Sequence, residues 1–178
     1  MAVTAAGTPY VESSDLVANY PGVRLALANH IDTSTGKVLQ VVGNTHGTTV
    51  STTSTSFVTT GLSASITPSL ASSRIMIICS LYFYNAGGTV TNAAYATLFR
   101  GTVAGTNLGH STEGLAVLYA DSASPFRVYS LQTMTFLDSP NTTSAQVYTA
   151  GMKASANVTA TAQGNSGIST ITLMEISA

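Results

Sequence analysis

Residues 74–84 read RIMIICSLYFY, and this stretch decides the fold class. Successive side chains of a β-strand point to opposite faces, so alternate residues share a face. One face would hold Ile75, Ile77, Cys79, Leu81 and Phe83, and the other Met76, Ile78, Ser80, Tyr82 and Tyr84. Both sets are largely apolar, so we expect this strand to be covered on both sides. A sandwich core would cover the first face, and another subunit is the candidate to cover the second.

Turn signals divide the rest of the chain after Gly36 into further strand-like segments. They include KVLQVV at 37–42, TVSTTSTSFVTT at 49–60, PFRVYSLQTMTFLD at 125–138 and GISTITLMEIS at 167–177. Threonine is β-branched and suits a half-buried pleated surface, so the hydroxyl-rich run also favours a strand. We count about eight strands without a helix between them, and a parallel sheet needs crossover helices. The pattern predicts an all-β fold, an antiparallel β-sandwich of the jelly-roll type.

A helical signal precedes Gly36. Pro21 suits a first helical position, and Gly36 suits the left-handed residue that follows a helix. Val23, Leu27 and Ile31 fall at i, i+4 and i+8, which predicts a short helix over about 21–33 with one apolar stripe. The stripe either docks on its own domain or packs around an axis with two other copies. We therefore divide the chain into an N-terminal segment, residues 1–36, and a β-sandwich domain, residues 37–178.

The scarcity of charge limits the function classes. Charged residues make up 7% of the chain, against about 25% in a typical soluble domain, and the net charge is −1. Six scattered Lys and Arg residues form no basic patch, so we expect no nucleic-acid partner. A hydrophobic content of 44% excludes a disordered chain. A surface this poor in charge is a solubility risk for a free monomer, which favours assembly with identical copies.

Membrane and secretion signals are weak. The longest apolar run, 75–79, is far shorter than the roughly 20 residues of a membrane-spanning helix. The N-terminus has no positively charged region followed by an apolar block, so we predict neither membrane insertion nor a signal peptide. Cys79 is the single cysteine, which excludes an intramolecular disulfide. Its place in the central strand predicts a buried thiol.

The sequence offers little catalytic chemistry. His30, His46 and His110 are far apart, and the nearest acidic pair in the middle of the chain is Glu113 and Asp121. No nucleophile-elbow or phosphate-loop motif occurs. In a trimer, His46 or His110 near the axis would supply three metal ligands, but a solvated loop histidine is the simpler interpretation. We predict no enzyme activity, no cofactor and no metal site.

Several segments, in their order along the chain, resemble a module that recurs in tailed-bacteriophage virion proteins. They are GKVLQVV at 36–42, TGLSASITPS at 60–69, SRIMIICSLY at 73–82, LFRGTVAGTNLG at 98–109, MTFLDSPNTTSAQVYTAGMKA at 134–154 and ITLMEISA at 171–178. TPYVESSDLVANYPGVRLALANHID at 8–32 is similar to the attachment segment of phage tail-fibre and minor tail proteins. The resemblance covers nearly the whole chain. It implies a non-enzymatic structural protein, usually a homotrimer with a terminal β-rich knob.

The resemblance leaves the position on the particle open. The attachment-like segment favours a tail fibre or minor tail protein, bound to other virion proteins through residues 1–36. The lack of a shaft between that segment and the knob favours a capsid decoration protein. A knob that binds host-surface carbohydrate overlaps both, because tyrosines such as Tyr119 are able to stack on sugars. For the trimer interface, the candidates are Val23, Leu27, Ile31, Met76, Ile78, Tyr82 and Tyr84.

Overall fold

The computed structural model describes residues 2–3, 9–10, 36–87, 92–120 and 126–178. The described strands are β1 Ala2–Val3, β2 Pro9–Tyr10, β3 Val38–His46, β4 Val50–Thr52, β5 Val58–Ile66, β6 Arg74–Gly87, β7 Asn92–Arg100, β8 Thr106–Asn107, β9 Ala116–Ala120, β10 Phe126–Asp138, β11 Gln146–Ala154, β12 Val158–Ala162 and β13 Ser169–Ile176. Every pairing between them is antiparallel. The all-β antiparallel sandwich predicted from the sequence is confirmed.

Residues 1–36 are described only in part. β1 and β2 form a two-stranded sheet in which Ala2 lies opposite Tyr10. The helix predicted over about 21–33 lies outside the described residues, and so do Val23, Leu27 and Ile31.

The larger sheet is built around the 14-residue strand β6. Along one side, β6 pairs with β10 over its whole length. Along the other side, β13 and β12 follow each other end to end, and β3 and β4 pair with them in turn. The sheet is four strands wide, but two of these four positions each hold two short strands that lie end to end. The sheet therefore has six strands.

The smaller sheet has the order β5, β11, β7, with β8 and β9 both pairing with the far side of β7. When strands that lie end to end are counted as one, β3 to β13 occupy eight strand positions in the two sheets. The larger sheet then has the order 1-8-3-6 and the smaller sheet the order 2-7-4-5. Two four-position antiparallel sheets wound in this way form a jelly roll.

The core lies between the two sheets. Ile75, Ile77, Cys79, Leu81 and Phe83 are fully buried on the inner face of β6. The smaller sheet contributes Leu62, Leu98, Tyr148 and Met152, which are also fully buried. Burial raises the pKa of the Cys79 thiol to about 12, which keeps it protonated and unreactive. The inner face of β6 is therefore the core face that its alternating sequence predicts.

The structure extends β6 beyond the boundary that the sequence indicated. NAGG at 85–88 has the composition of a turn, yet Asn85, Ala86 and Gly87 continue the strand and pair with β10. Asn85 is buried, and its amide donates to the Asn92 side chain at 2.6 Å. This hydrogen bond satisfies the amide nitrogen of Asn85, which turn chemistry would have left in solvent.

Candidate functional surfaces

The outward side of the larger sheet is a broad uncharged surface, which we call the apolar face. The register places Tyr129, Leu131 and Leu137 of β10 directly opposite Tyr84, Tyr82 and Met76 of β6. The face comprises Val41, Met76, Ile78, Tyr82, Tyr84, Tyr129, Leu131, Leu137, Met174 and the threonines between them on β10 and β13. Leu131 and Val41 are 58% and 57% exposed, so these large apolar side chains face solvent in the isolated chain.

Charged residues on this side of β6, β10 and β13 stand only at the two ends. Arg74 begins β6, and Arg127 stands opposite Ala86 near the other end. Between them the outward positions are apolar, hydroxyl-bearing or tyrosine. Eleven or so residues at about 3.4 Å each, across three strand spacings of about 4.8 Å, give roughly 500 Å². The largest apolar patch on a typical monomer is about 300–600 Å² and is often functional, so this face is a candidate interaction surface.

One end of the apolar face is partly covered by the chain itself. The turn between β12 and β13 crosses the outer side of β6, and the Gln163 N–H donates to the Tyr82 carbonyl at 2.9 Å. A methyl group added at Gly164 or Gly167 would overlap the ring of Tyr84 or Tyr82. Tyr82 and Tyr84 are therefore half-buried by their own chain, whereas Leu131 and Leu137 beside them are exposed.

At the same end of the apolar face, Tyr84, Tyr129 and Arg127 pack together. The rings of Tyr84 and Tyr129 lie 4.8 Å apart, and Arg127 lies 5.9 Å from the Tyr84 ring centroid. Arg127 Nη1 donates to the Tyr129 hydroxyl at 3.3 Å. Hydrogen bonds with Arg127 and Asn165 lower the pKa of Tyr129. The group fixes the orientation of Tyr129 at the edge of the sheet.

The interface candidates drawn from β6 all lie on the apolar face. Met76, Ile78, Tyr82 and Tyr84 are half-buried on its central strand. The interface residues predicted from the sequence do not include Leu131, Leu137 or Val41, which lie on β10 and β3 and are more exposed. The alternation of β10 placed Tyr129, Leu131 and Leu137 on one side, but only the register shows that this side continues the outer face of β6.

Two buried carboxylates lie at one end of the larger sheet. Asp138 of β10 and Glu175 of β13 flank Ile75 on either side of β6. Asp138 is 5% exposed and Glu175 is fully buried. An isolated buried charge is costly, so each must be held by hydrogen bonds or an ion pair.

Glu175 is held by donors from two segments. Gln40 Nε2 donates to Oε2 at 2.6 Å, and both the amide N–H and the hydroxyl of Ser69 donate to Oε1 at 2.7 Å. Burial alone would raise the pKa of Glu175, but these hydrogen bonds lower it to about 2. The carboxylate thereby fastens the β5–β6 turn to β13 and β3.

Asp138 connects the two sheets. The Tyr148 hydroxyl of β11 donates to Asp138 Oδ2 at 2.7 Å, and Arg100 Nε of β7 lies 3.6 Å from the same oxygen. Burial, followed by the bond to Asp138, raises the pKa of Tyr148, so the phenol stays protonated. Both carboxylates therefore have a structural role, because they connect separate segments of the sandwich.

The histidines take separate local roles. His110 Nδ1 accepts from the N–H groups of Thr112 and Glu113 at 3.3 and 3.2 Å and organises a turn. His46 packs against Gly61, whose φ of 81° marks an irregularity in β5. Within the described residues no three His, Cys, Asp or Glu side chains gather as metal ligands. His30 and Asp121 lie outside the described residues.

The outward side of the smaller sheet carries a groove of about 440 Å³, which we call the Lys153 groove. Its lining consists of Thr55, Ser56, Phe57, Phe99, Val103, Asn107, Ser111 and Lys153. Asn107 fixes one wall, because its Oδ1 accepts from the Thr97 hydroxyl at 2.7 Å and the Gly109 N–H at 2.9 Å. The Phe99 ring lies over Gly151, where a Cβ would come within 2.7 Å of it.

Lys153 is held between aromatic rings. Its Nζ lies 5.0 Å from the Phe57 ring centroid and 5.1 Å from that of Tyr95. Burial, together with the nearby Tyr119 and Glu113, raises the pKa of Tyr95. Tyr119 lies on β9 opposite Ala93 and is 61% exposed, so it belongs to a strand and not to a loop. Apart from the single lysine of β11, no sequence pattern indicated this groove.

Among the residues that the structure describes, no helix has the length and apolar character to cross a bilayer.

Comparison with known proteins identifies no family. No family model matches the chain, and no curated protein matches its sequence. Among solved structures, a VP2 subviral particle of infectious bursal disease virus aligns at 15% identity and a TM-score of 0.36. T=1 particles derived from the same virus align at 12% identity and a TM-score of 0.36. These alignments cover 78% and 80% of this chain but only 38% and 37% of theirs, and a likeness this weak carries no argument about function.

Proposed function

We propose that the chain is a non-enzymatic structural protein of a virus particle, which assembles as a homotrimer through the apolar face. The proposal has two parts with different support. The resemblance of the ordered sequence segments to tailed-phage virion proteins supports the place in a virion and the number three. The apolar face supports self-assembly.

The apolar face carries the second part. Leu131 is 58% exposed midway along the edge strand β10, on a surface with no charge between Arg74 and Arg127. Exposing roughly 500 Å² of such surface is unfavourable for a free chain, at about 25 cal/mol per Å² of its apolar fraction. A second copy of the chain has the same uncharged surface, so contact between copies leaves no ion unpaired.

If identical copies cover this face, no other protein is needed to bury it. Obligate interfaces resemble a domain core cut in half, and apolar face residues such as Ile78, Met174 and Leu137 are core-type side chains. In this arrangement residues 37–178 form the displayed knob and residues 1–36 bind other virion proteins. Val23, Leu27 and Ile31 would extend the interface along the axis.

Within the virion we favour a tail-fibre or minor tail protein over a capsid decoration protein. The attachment-like sequence at 8–32 supports the tail position. Gold-labelled antibodies against residues 37–178, applied to purified particles, test both positions. Label on the tail supports the first, label over the head replaces it with decoration, and no label on particles contradicts the virion role.

The trimer is tested by the native mass of the full chain at micromolar concentration. Light scattering should give three times the 18.2 kDa chain mass. Twice that mass would retain self-assembly but reject the trimer. A monomer that persists at these concentrations would reject the assembly role of the apolar face.

A further inference from the structure

The Lys153 groove has the composition of a binding site that the assembly function does not use. It lies on the outward side of the smaller sheet, so it remains open when copies meet through the apolar face. Its volume of about 440 Å³ falls within the roughly 300–1,000 Å³ of small-ligand sites. Its wall is fixed by Asn107, so the groove is formed before a ligand arrives.

The lysine at its floor lacks a counter-ion. Lys153 is half-buried, and it forms no ion pair with any other residue in the described ranges. Glu113 lies near Tyr95 but forms no ion pair with the ammonium. The faces of Phe57 and Tyr95 orient the ammonium and leave its N–H donors available for an anion. Carboxylates and phosphates are the anions that pair with a single ammonium of this kind.

The remaining lining favours a polyhydroxylated ligand. Thr55, Ser56 and Ser111 are exposed and place three hydroxyl groups along the groove. Each hydroxyl is both donor and acceptor, which matches the hydroxyl groups of a sugar. The groove is open along its length, so a ligand in it stays partly hydrated, as carbohydrate does. The Phe57 ring supplies an apolar surface beside these groups.

We propose that the Lys153 groove binds a carboxylate-bearing sugar unit, whose carboxylate pairs with Lys153 and whose hydroxyls meet Thr55, Ser56 and Ser111. The ligand class is thus an acidic glycan. This inference is independent of the assembly interface, because Lys153 lies on the opposite sheet from Leu131.

Saturation-transfer NMR on the full chain tests the proposal with three probes at millimolar concentration. Sodium D-glucuronate carries the carboxylate, D-glucose has the same ring without it, and sodium acetate has the carboxylate without the ring. We expect transfer to the glucuronate ring protons and affinity about tenfold above that for glucose, as a charge-assisted hydrogen bond provides. Equimolar acetate should not displace glucuronate.

Variants assign the signal to the groove. Lys153→Met keeps the apolar stem and should abolish the preference for glucuronate, while Lys153→Arg keeps the charge and should retain it. Lys37→Met removes the other lysine of the chain and should change nothing. Circular dichroism confirms that each variant is folded.

Several results would overturn the proposal. Equal binding of glucuronate and glucose would remove the role of the charge, and displacement by acetate would remove the role of the sugar ring. A glucuronate signal that survives Lys153→Met would place binding elsewhere. Absence of any signal from both glucuronate and a second acidic sugar, N-acetylneuraminate, would reject the site. None of these outcomes bears on the native mass, so the assembly proposal is judged separately.

Discussion

The outer faces of the two sheets differ, although both belong to antiparallel strands of similar composition. On the larger sheet, outward positions of β6 and β10 carry Tyr, Leu, Ile and Met side chains, and the strands run in register for 13 residue pairs. On the smaller sheet, the segment between β7 and β9 folds back over the outer side of β7, with the Leu115 N–H donating to the Ala96 carbonyl at 2.8 Å. The chain therefore covers part of one face with its own loop and leaves most of the other open.

The two outer faces are stabilised in different ways. A loop that covers a sheet satisfies its own polar groups locally, as Asn107 and His110 do, and it creates a groove at its border. Beyond the end that the β12–β13 turn covers, the apolar face has no such loop, and contact with another surface would bury it. In the proposals made above, the larger sheet carries the assembly interface and the smaller sheet carries the ligand site.

Among single substitutions, we expect the largest loss of stability at Glu175, a buried carboxylate of the larger sheet. Glu175→Gln places an amide N–H₂ where Oε1 or Oε2 now accepts charge-assisted hydrogen bonds from Gln40 and Ser69. We expect a loss of about 2–3 kcal/mol in the free energy of unfolding, measured by urea titration at neutral pH.

The pH dependence gives this prediction a sign. The folded-state pKa of about 2 lies below the ordinary glutamate value of 4.5, so the stabilisation by Glu175 is complete above pH 4.5. It is lost as the pH falls from about 4.5 towards 2. The stability difference between wild type and Glu175→Gln should shrink over that window. A difference that stays constant down to pH 2 would contradict the depressed pKa.

A smaller effect is expected where the chain covers its own tyrosines. Gly167→Ala forces a methyl group into the ring of Tyr82, so the β12–β13 turn must shift. We expect a loss of about 1–2 kcal/mol in unfolding free energy, as for other overpacked sites. Gly47→Ala is the matched control, because its nearest heavy atom would be 3.9 Å away. Equal stability of the two variants would show that the turn does not rest on the apolar face.

The smallest effect is expected on the smaller sheet. Tyr119 is 61% exposed on β9, so Tyr119→Ala should change the free energy of unfolding by no more than about 0.5 kcal/mol. Its native mass should equal that of the wild type. A fall in mass would show that the outer face of the smaller sheet also takes part in assembly.

The sequence predicted the class of fold because its central strand has strict alternation. Ile75 to Phe83 define a core face by periodicity alone, and the long segment 125–138 alternates in the same way. These local patterns indicate where the strands lie and which side chains share a face, so they predict an antiparallel sandwich. The strand order of the jelly roll depends on pairing between distant segments, which local patterns do not determine.

The surfaces were less predictable because they depend on register. Leu131 meets Tyr82 only when β10 pairs with β6 at a particular offset, and a shift of one residue would place Leu131 inside. The Lys153 groove combines Phe57, Ser111 and Lys153, which are distant in sequence and come together through tertiary packing. The hydrogen bonds of the Asp138 and Glu175 carboxylates likewise depend on tertiary packing. Tyr148 is 10 residues from Asp138 in sequence, and Gln40 is 135 residues from Glu175.

The most direct test of the account is a matched pair of charge substitutions on the two outer faces. Leu131→Lys puts a lysine on the apolar face, midway along β10, and Val147→Lys puts one on the outer side of the smaller sheet, where Val147 is 41% exposed. We expect Leu131→Lys to raise the dissociation constant of the assembly about 30-fold or more, the equivalent of about 2 kcal/mol, in a sedimentation dilution series. Val147→Lys should leave it unchanged. Equal behaviour of the two variants, or dissociation by Val147→Lys alone, would contradict assembly through the apolar face.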